Sequence, residues 1–379
     1  SLEDYSIQEL INDDKNLDFS NGYSIDSLEY NQNKEPVYVT SKNKKFSVII
    51  PTYNNGLHLY GKCFMSLRRS SMFKEMEIII VDDGSTDKET LTTIDRLQRQ
   101  YDNIIVYKFE PGGSGSASRP RNKGIELSTT DYITFLDPDN EAVNDGYAKL
   151  YHEISNNGYD LVIGNIKKVD TAEMDFNYYR DVYYYEGKNE FTNHDPREYL
   201  DNTHFKAQSI QALMVKKDVI TMNNIKMIPG AVGEDTLFFH ELIINSKQFK
   251  VINEIIHIYY AGVEGSSVNY ITKNTFQKYY TLEKERIKFL KRNNLLNTYF
   301  EKRFNYYFEN WYFKKLDIVK TSDYNDAVEI LLNIYKLYEV EVDKKSKIDK
   351  DIRMQIKKLR KEMKIWDVLL NASSLSSRI

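Results

Sequence analysis

The chain has one cysteine in 379 residues, Cys63. A single thiol closes no internal disulfide, and its setting (Gly-Lys-Cys-Phe-Met) brings no histidine partner for a nucleophile. Cys63 therefore reads as a small apolar residue on a helix face. Folding without disulfides suits the cytoplasm. An excess of positive charge is missing too. Lysine and arginine number 52 against 56 acids, a net charge of -4, which argues against nucleic acid as the main partner. No apolar run approaches the ~18 residues that span a bilayer, and no signal-peptide pattern opens the chain. The chain begins at Ser1 rather than Met, so a further domain upstream is among the expectations. What remains is an ordinary globular balance, 41% hydrophobic and 28% charged, with length for two domains. The 30 tyrosines read mostly as core-edge residues, an apolar ring with a polar tip.

Three short apolar runs each stop abruptly in polar or acidic residues. Phe46 to Ile50 runs into Pro51-Thr52-Tyr53, Glu77 to Val81 into Asp82-Asp83-Gly84-Ser85, and Tyr132 to Leu136 into Asp137-Pro138-Asp139. Runs of this kind are strands buried on both faces. Helix-length segments, 57–70 and 86–101, lie between them, so the chain predicts an α/β fold around a mostly parallel sheet. Ligands bind at the carboxyl ends of such strands. Tyr53, the Asp82/Asp83 pair and the Asp137/Asp139 pair converge there, a set suited to a base, a metal and a diphosphate. A third strand, Ile104 to Phe109, leads into the Gly-rich stretch from Glu110 to Gly124. Its backbone N–H groups suit phosphate, although the Lys-Ser/Thr ending of a P-loop is absent. Arg119 and Arg121 oppose the dipole of the helix they open, which points to an anionic partner such as a diphosphate or acceptor.

Further strands are expected at 160–165 and 251–260, with His257 as a core or strand-face histidine. Between them, His194, His204 and Gln208 are candidates to touch an acceptor hydroxyl. Gly230 to His240 places Glu234 and Asp235 at a glycine-flanked turn that opens a helix, with Phe238, Phe239 and Leu242 toward the core. Two adjacent acids cannot face the same way, so one points to the cleft and the other to a supporting contact.

Taken in order, Pro51-Thr52-Tyr53, Val81-Asp82-Asp83-Gly84-Ser85, Asp137-Pro138-Asp139 and Gly233-Glu234-Asp235 resemble the family 2 glycosyltransferases of GT-A fold. The resemblance covers about residues 45 to 265. The Gly-Gly-x-Gly stretch followed by Pro120-Arg121-Asn122-Lys123-Gly124 looks most like the enzymes that decorate wall teichoic acid or capsule. The resemblance implies an inverting transfer of a sugar, in all expectation from a UDP-sugar, to a hydroxyl of a surface glycan, teichoic acid or glycoprotein. Asp235 then is the general base. A divalent metal, Mn²⁺ or Mg²⁺, is the cofactor, with Asp139 as its ligand and Asp137 acting through water or the ribose. Tyr53 stacks on the base and Asp83 accepts from the uracil imide. Pro51, Tyr53, Asp83, Arg121, Asn122, Asp137 and Glu234 make up the implied substrate-binding set.

The expected division is an acidic N-terminal extension (1–44), a catalytic domain (45–268) and an α-helical C-terminal region (269–379). Residues 1–36 carry nine acids against two lysines, with a helical turn expected at 6–10. The loop after the last strand is expected to close over the diphosphate, with Ser266 and Ser267 as candidate contacts. Ile352, Ile356, Leu359, Met363, Trp366 and Leu370 space out an a/d seam within a stretch (343–364) bearing ten bases and four acids. That helix suits docking on its own catalytic domain, a second copy, or the anionic inner face of the membrane. Two other readings stand beside the transferase. A nucleotidyltransferase wants a Gly-rich loop with Lys behind the first strand, which Pro51 to Gly56 lacks. A non-catalytic subunit of a glycosylation complex has no need of the retained acids.

Overall fold

The computed structural model describes residues 28–30, 36–38, 44–169, 177–192, 194–261, 270–341 and 348–376. Of the expected N-terminal extension it describes only an antiparallel pair, β1 (Leu28–Tyr30) with β2 (Pro36–Tyr38). The helical turn expected at 6–10, Ser266, Ser267 and the boundary expected at 268 lie outside the described residues.

The central sheet has nine strands among the described residues. Its catalytic half is parallel: β5 (Ile104–Lys108), β4 (Met76–Asp82), β3 (Phe46–Thr52) and β6 (Tyr132–Phe135), side by side in that order. Alternation along a strand sends neighbours to opposite faces, and these runs carry apolar residues on both. Val48, Ile50, Ile78 and Ile80 therefore join one core with Leu59, Cys63, Ile94 and Leu97. Ile49, Ile79 and Val81 join the other, with Ile125 and Phe135. The covering helices are α1 (residues 56–68), α2 (Lys88–Gln100), α3 (Ser118–Leu127) and α4 (Gly146–Asn157). The mixed α/β architecture expected for a GT-A sheet is what the chain adopts.

Beyond β6 the strand-helix alternation gives way. The two-residue β7 (Glu141–Ala142) follows the acidic turn, and α4 starts at Gly146. Strand β8 (Leu161–Val169) is separated from β6 by β10 (Leu213–Lys216), which is antiparallel to both. The bulged β11 (Gln248–Tyr260) pairs in parallel with β8 and antiparallel with β7 and with β9 (Glu190–Thr192). Pairing of β7 with His257 and Ile258 clamps the acidic turn after β6 to the end of β11. Short helices α5 (Tyr178–Glu186) and α6 (Pro196–Asn202) lie between β8 and β10, α7 (Lys217–Met222) follows β10, and α8 (Glu234–Asn245) follows the glycine turn.

The C-terminal region is helical as expected: α9 (Lys273–Arg292), α10 (residues 296–317, with π-helical stretches at Phe300–Phe304 and Phe308–Tyr312), α11 (Tyr324–Glu339) and α12 (Lys350–Ser376). Its aromatics continue the core of the sheet's α3 face rather than forming a separate one. Ile352, Ile356 and Leu359 are buried against this body, while Trp366 and Leu370 farther along the same seam are exposed. Among the described residues no helix is long and apolar enough to cross a membrane.

Gly124 marks the closest approach of α3 to β3, where an added Cβ would fall 2.4 Å from Ile49 Cγ2. Ile49 is fully buried. Alanine favours a helix by ~1 kcal/mol over glycine, but overpacking a tight core costs ~1–3 kcal/mol. Gly124→Ala is therefore expected to lower urea-unfolding stability. A gain in stability would show that α3 moves aside at no cost.

Candidate active site

The strand ends gather the expected residues at one edge. Pro51 is buried within β3, opposite Val81, so its ring shapes the strand instead of lining the cleft. Tyr53, just beyond β3, is 43% exposed. The Gly-rich loop passes directly over its ring: a Cβ on Gly113, at φ +71°, would fall 2.8 Å from Tyr53 Cε2. Only a residue without a side chain fits that approach. Asp82 turns inward and accepts from Ser85 N at 3.0 Å. Asp83 is fully engaged by the same loop. Its Oδ2 accepts from Ser114 N (2.8 Å) and Ser114 Oγ (2.6 Å), and its Oδ1 from Arg119 Nε (2.7 Å). The Arg119 guanidinium also lies over Phe109, 4.1 Å from the ring centre. Asp87 caps α2 by accepting from Thr90 N at 2.7 Å.

Deeper in the cleft lies Arg121, expected to meet a diphosphate or an anionic acceptor; its guanidinium is buried and pairs with two protein carboxylates. Nη2 donates to Asp137 Oδ1 at 2.7 Å and Nη1 to Glu234 Oε1 at 3.2 Å. Two acids brought together out of water need a buried countercharge, and α3 supplies it. Glu234, expected among the substrate-binding residues, has its carboxylate buried on Arg121. The Asn122 amide donates to Met227 O (2.8 Å) and accepts from Met227 N (2.9 Å), tying α3 to the 223–233 loop. A residue missed by sequence reasoning, Gln211, completes the cluster from a chain position 74 residues away. Its Oε1 accepts from Asp137 N (2.7 Å) and Asn140 Nδ2 (3.0 Å), and its Nε2 donates to Asp137 Oδ2 (3.2 Å).

The acids differ in their poise. Burial, then the neighbouring Asp137, pushes the Asp139 carboxyl up to about 6. Burial also pushes Glu234 up to about 7, although Arg121 opposes the rise. Asp235, beside Gly233 (φ +81°) at the start of α8, is raised as well, chiefly by burial. Among the described residues no third His, Cys, Asp or Glu joins Asp137 and Asp139 as a ligand cluster. Two carboxylates nonetheless fit a hard divalent ion that completes its shell with substrate phosphates and water. Asp139, a desolvated acid beside a second acid, has the character of a cation ligand.

The C-terminal helices form the back wall. Arg286 on α9 donates to Thr236 Oγ1 (3.2 Å), the residue after Asp235, and to Glu283 (3.1 Å). Glu283 also accepts from the hydroxyls of Tyr312 and Tyr338, so the buried pair is well satisfied. Lys278 donates to Gly115 O in the Gly-rich loop. No sequence pattern signals the links from α9 to Thr236 and to Gly115, because they join residues 50 and 163 positions apart. His257 is fully buried, near Ser209 Oγ (3.3 Å), and burial lowers it to about 4. Gln208 donates to the Gly164 carbonyl and His204 packs on Tyr185, which ties both to the fold.

The folded chain keeps a proton on Glu234 up to about pH 7, whereas the unfolded chain releases it in the ordinary carboxylate range. Stability from this group therefore falls as pH rises through that window. Arg121→Met leaves the buried acids without countercharge and is expected to cost ~3–5 kcal/mol at pH 8. The loss should be smaller at pH 5.5, where Glu234 is protonated. Equal losses in denaturant melts at both pH values would mean that Arg121 acts through packing alone.

Comparisons with known proteins agree with this geometry. Residues 47–218 match the model of glycosyl transferase family 2. The poly(ribitol-phosphate) beta-N-acetylglucosaminyltransferase TarP of Staphylococcus aureus is 32% identical over 250 residues, 62% of this chain and 69% of TarP. A poly(ribitol-phosphate) beta-glucosyltransferase of Bacillus spizizenii is 33% identical over 127 residues, 33% of this chain and 20% of the relative. In structure, residues 1–349 of S. aureus TarS in complex with UDP-GlcNAc superimpose with a TM-score of 0.60 at 19% identity, covering 77% of this chain and 81% of that one. The last likeness shows the shared fold. With the motif order, the cleft acids and the extent of the match to TarP, the chain belongs to the family 2 glycosyltransferases.

Proposed function

We propose that the chain transfers a sugar from a UDP-sugar, with inversion, to a hydroxyl of a phosphate-containing surface polymer of the poly(ribitol phosphate) kind. The names of the two relatives support the acceptor class, and the UDP-GlcNAc bound to TarS supports the donor class. The observation that carries the reading is Asp235, a carboxyl raised by burial and within electrostatic reach of Arg121 and Asp137.

Asp235 takes the proton of the acceptor hydroxyl while that oxygen bonds to the anomeric carbon. The bond from that carbon to the diphosphate oxygen breaks on the opposite face, and its electron pair leaves with UDP. A positioned base contributes on the order of 10²–10⁴-fold. A base raised toward neutrality matches this task better than an ordinary aspartate. Tyr53 offers its exposed ring to the uracil, and Asp83 meets the imide as Ser114 and its loop give way. Asp139, with Asp137 through water, would hold Mn²⁺ or Mg²⁺, which neutralises charge on the departing diphosphate when bound. Buried Cys63 supports a reducing compartment, and the basic stretch of α12 supports contact with the inner face of the membrane.

Asp235→Asn is expected to cut transfer from UDP-GlcNAc to poly(ribitol phosphate) by about 10²–10⁴-fold, with UDP affinity within a few-fold of wild type. Unimpaired turnover would remove Asp235 as the base. In the wild type, kcat/KM should fall with decreasing pH at a midpoint above the ordinary aspartate range, because the base must be ionised. Asp139→Ala should abolish the difference between UDP titrations in Mn²⁺ and in EDTA. A metal response that survives this substitution would reject Asp139 as the ligand.

A further inference from the structure

We infer that Lys62 is a phosphate-binding residue of this cleft, its ammonium meeting an oxyanion of the donor diphosphate or of a phosphodiester in the acceptor. The inference rests on the proposed function and adds a residue that no motif contains. Lys62 lies in Leu59–Phe64, a π-helical stretch in the middle of α1. Such an insertion re-phases a helix and is often found at functional sites. Here Leu59, Cys63 and Phe64 stay in the core while Lys62 reaches across to β11.

The ammonium sits 4.0 Å from the centre of the Tyr260 ring. That ring is a fixed platform. Tyr260 N donates to Asn140 Oδ1 at 3.2 Å, and its hydroxyl donates to Glu141 Oε2 at 3.1 Å. Lys62 is thereby held beside the turn that carries Asp137 and Asp139, close enough to pull Asp139 downward against burial. Two neighbouring guanidiniums are spent on protein acids, Arg121 on Asp137 and Glu234, and Arg119 on Asp83. Among the described residues no carboxylate forms an ion pair with Lys62; its recorded partner is the ring face. A cation–π contact orients an ammonium without neutralising it, and lysine binds phosphate as a point charge. The bland alternative is a helix lysine resting its stem on a tyrosine.

The test is calorimetric titration of the full chain with UDP and with uridine, in Mn²⁺ and in EDTA, on wild type, Lys62→Met and Lys62→Arg. Methionine keeps an unbranched stem over Tyr260 and removes the charge; Lys62→Gln serves as a second neutral variant should methionine disturb folding. UDP affinity is expected to fall about tenfold in the neutral variants, with uridine affinity unchanged and arginine restoring most of the loss. Unchanged UDP binding with a roughly tenfold rise in KM for poly(ribitol phosphate) at constant kcat would assign the oxyanion to the acceptor. Wild-type values in both measurements would overturn the assignment and leave Lys62 as packing. Failure of the wild type itself to bind UDP would instead overturn the donor reading, and this inference with it.

Discussion

A single buried guanidinium holds the reacting end of this molecule together. Arg121 on α3 spans Asp137 at the end of β6 and Glu234 at the start of α8, elements far apart in the chain. Three carboxyls (Asp137, Glu234 and Asp235) and the nearby Asp139 would otherwise repel one another in a poorly hydrated cleft. Arg121 pairs with two of them and opposes the rise that burial imposes on Glu234, Asp139 and Asp235. An ammonium would not serve as well, because the planar fork reaches both acids at once.

The helical C-terminal region belongs to the site rather than trailing it. Arg286 bonds Thr236, one residue from Asp235, and the satisfied network of Glu283, Tyr312 and Tyr338 fixes Arg286 in turn. Lys278 holds the Gly-rich loop from the same helix. One helix thus touches both the turn that carries Asp235 and the Gly-rich loop over Tyr53. The continuous apolar core across sheet and helices gives these contacts a rigid backing.

Beyond β3 and β4, the loop from Glu110 to Ala117 passes over Tyr53 and, with Arg119 of α3, engages both oxygens of Asp83. Its glycines adopt positive φ at 112, 113 and 115. The strained-looking stretch is therefore a set of backbone turns that only glycine takes without cost, and the price in sequence freedom is what makes the motif recognisable.

The local sequence determined much of this protein. Apolar runs of seven or fewer residues, each ended by Tyr53, Asp83 or Asp137, specified the parallel strands and the edge where ligands meet. The glycine turn before Asp235 specified a helix start with two acids of different roles. Such features are legible because strand burial, turn geometry and capping depend on neighbours in the chain. The tertiary structure decided the rest. It paired Arg121 with Asp137 and Glu234 and Asn122 with Met227, brought Gln211 to Asp137 and Arg286 to Thr236, inserted β10 antiparallel, and took Glu141 and Ala142 into the sheet. Each of those outcomes depends on which buried charge finds which partner, and on which strand edge finds a mate. These are long-range choices, settled by desolvation and hydrogen bonding only once the chain has folded.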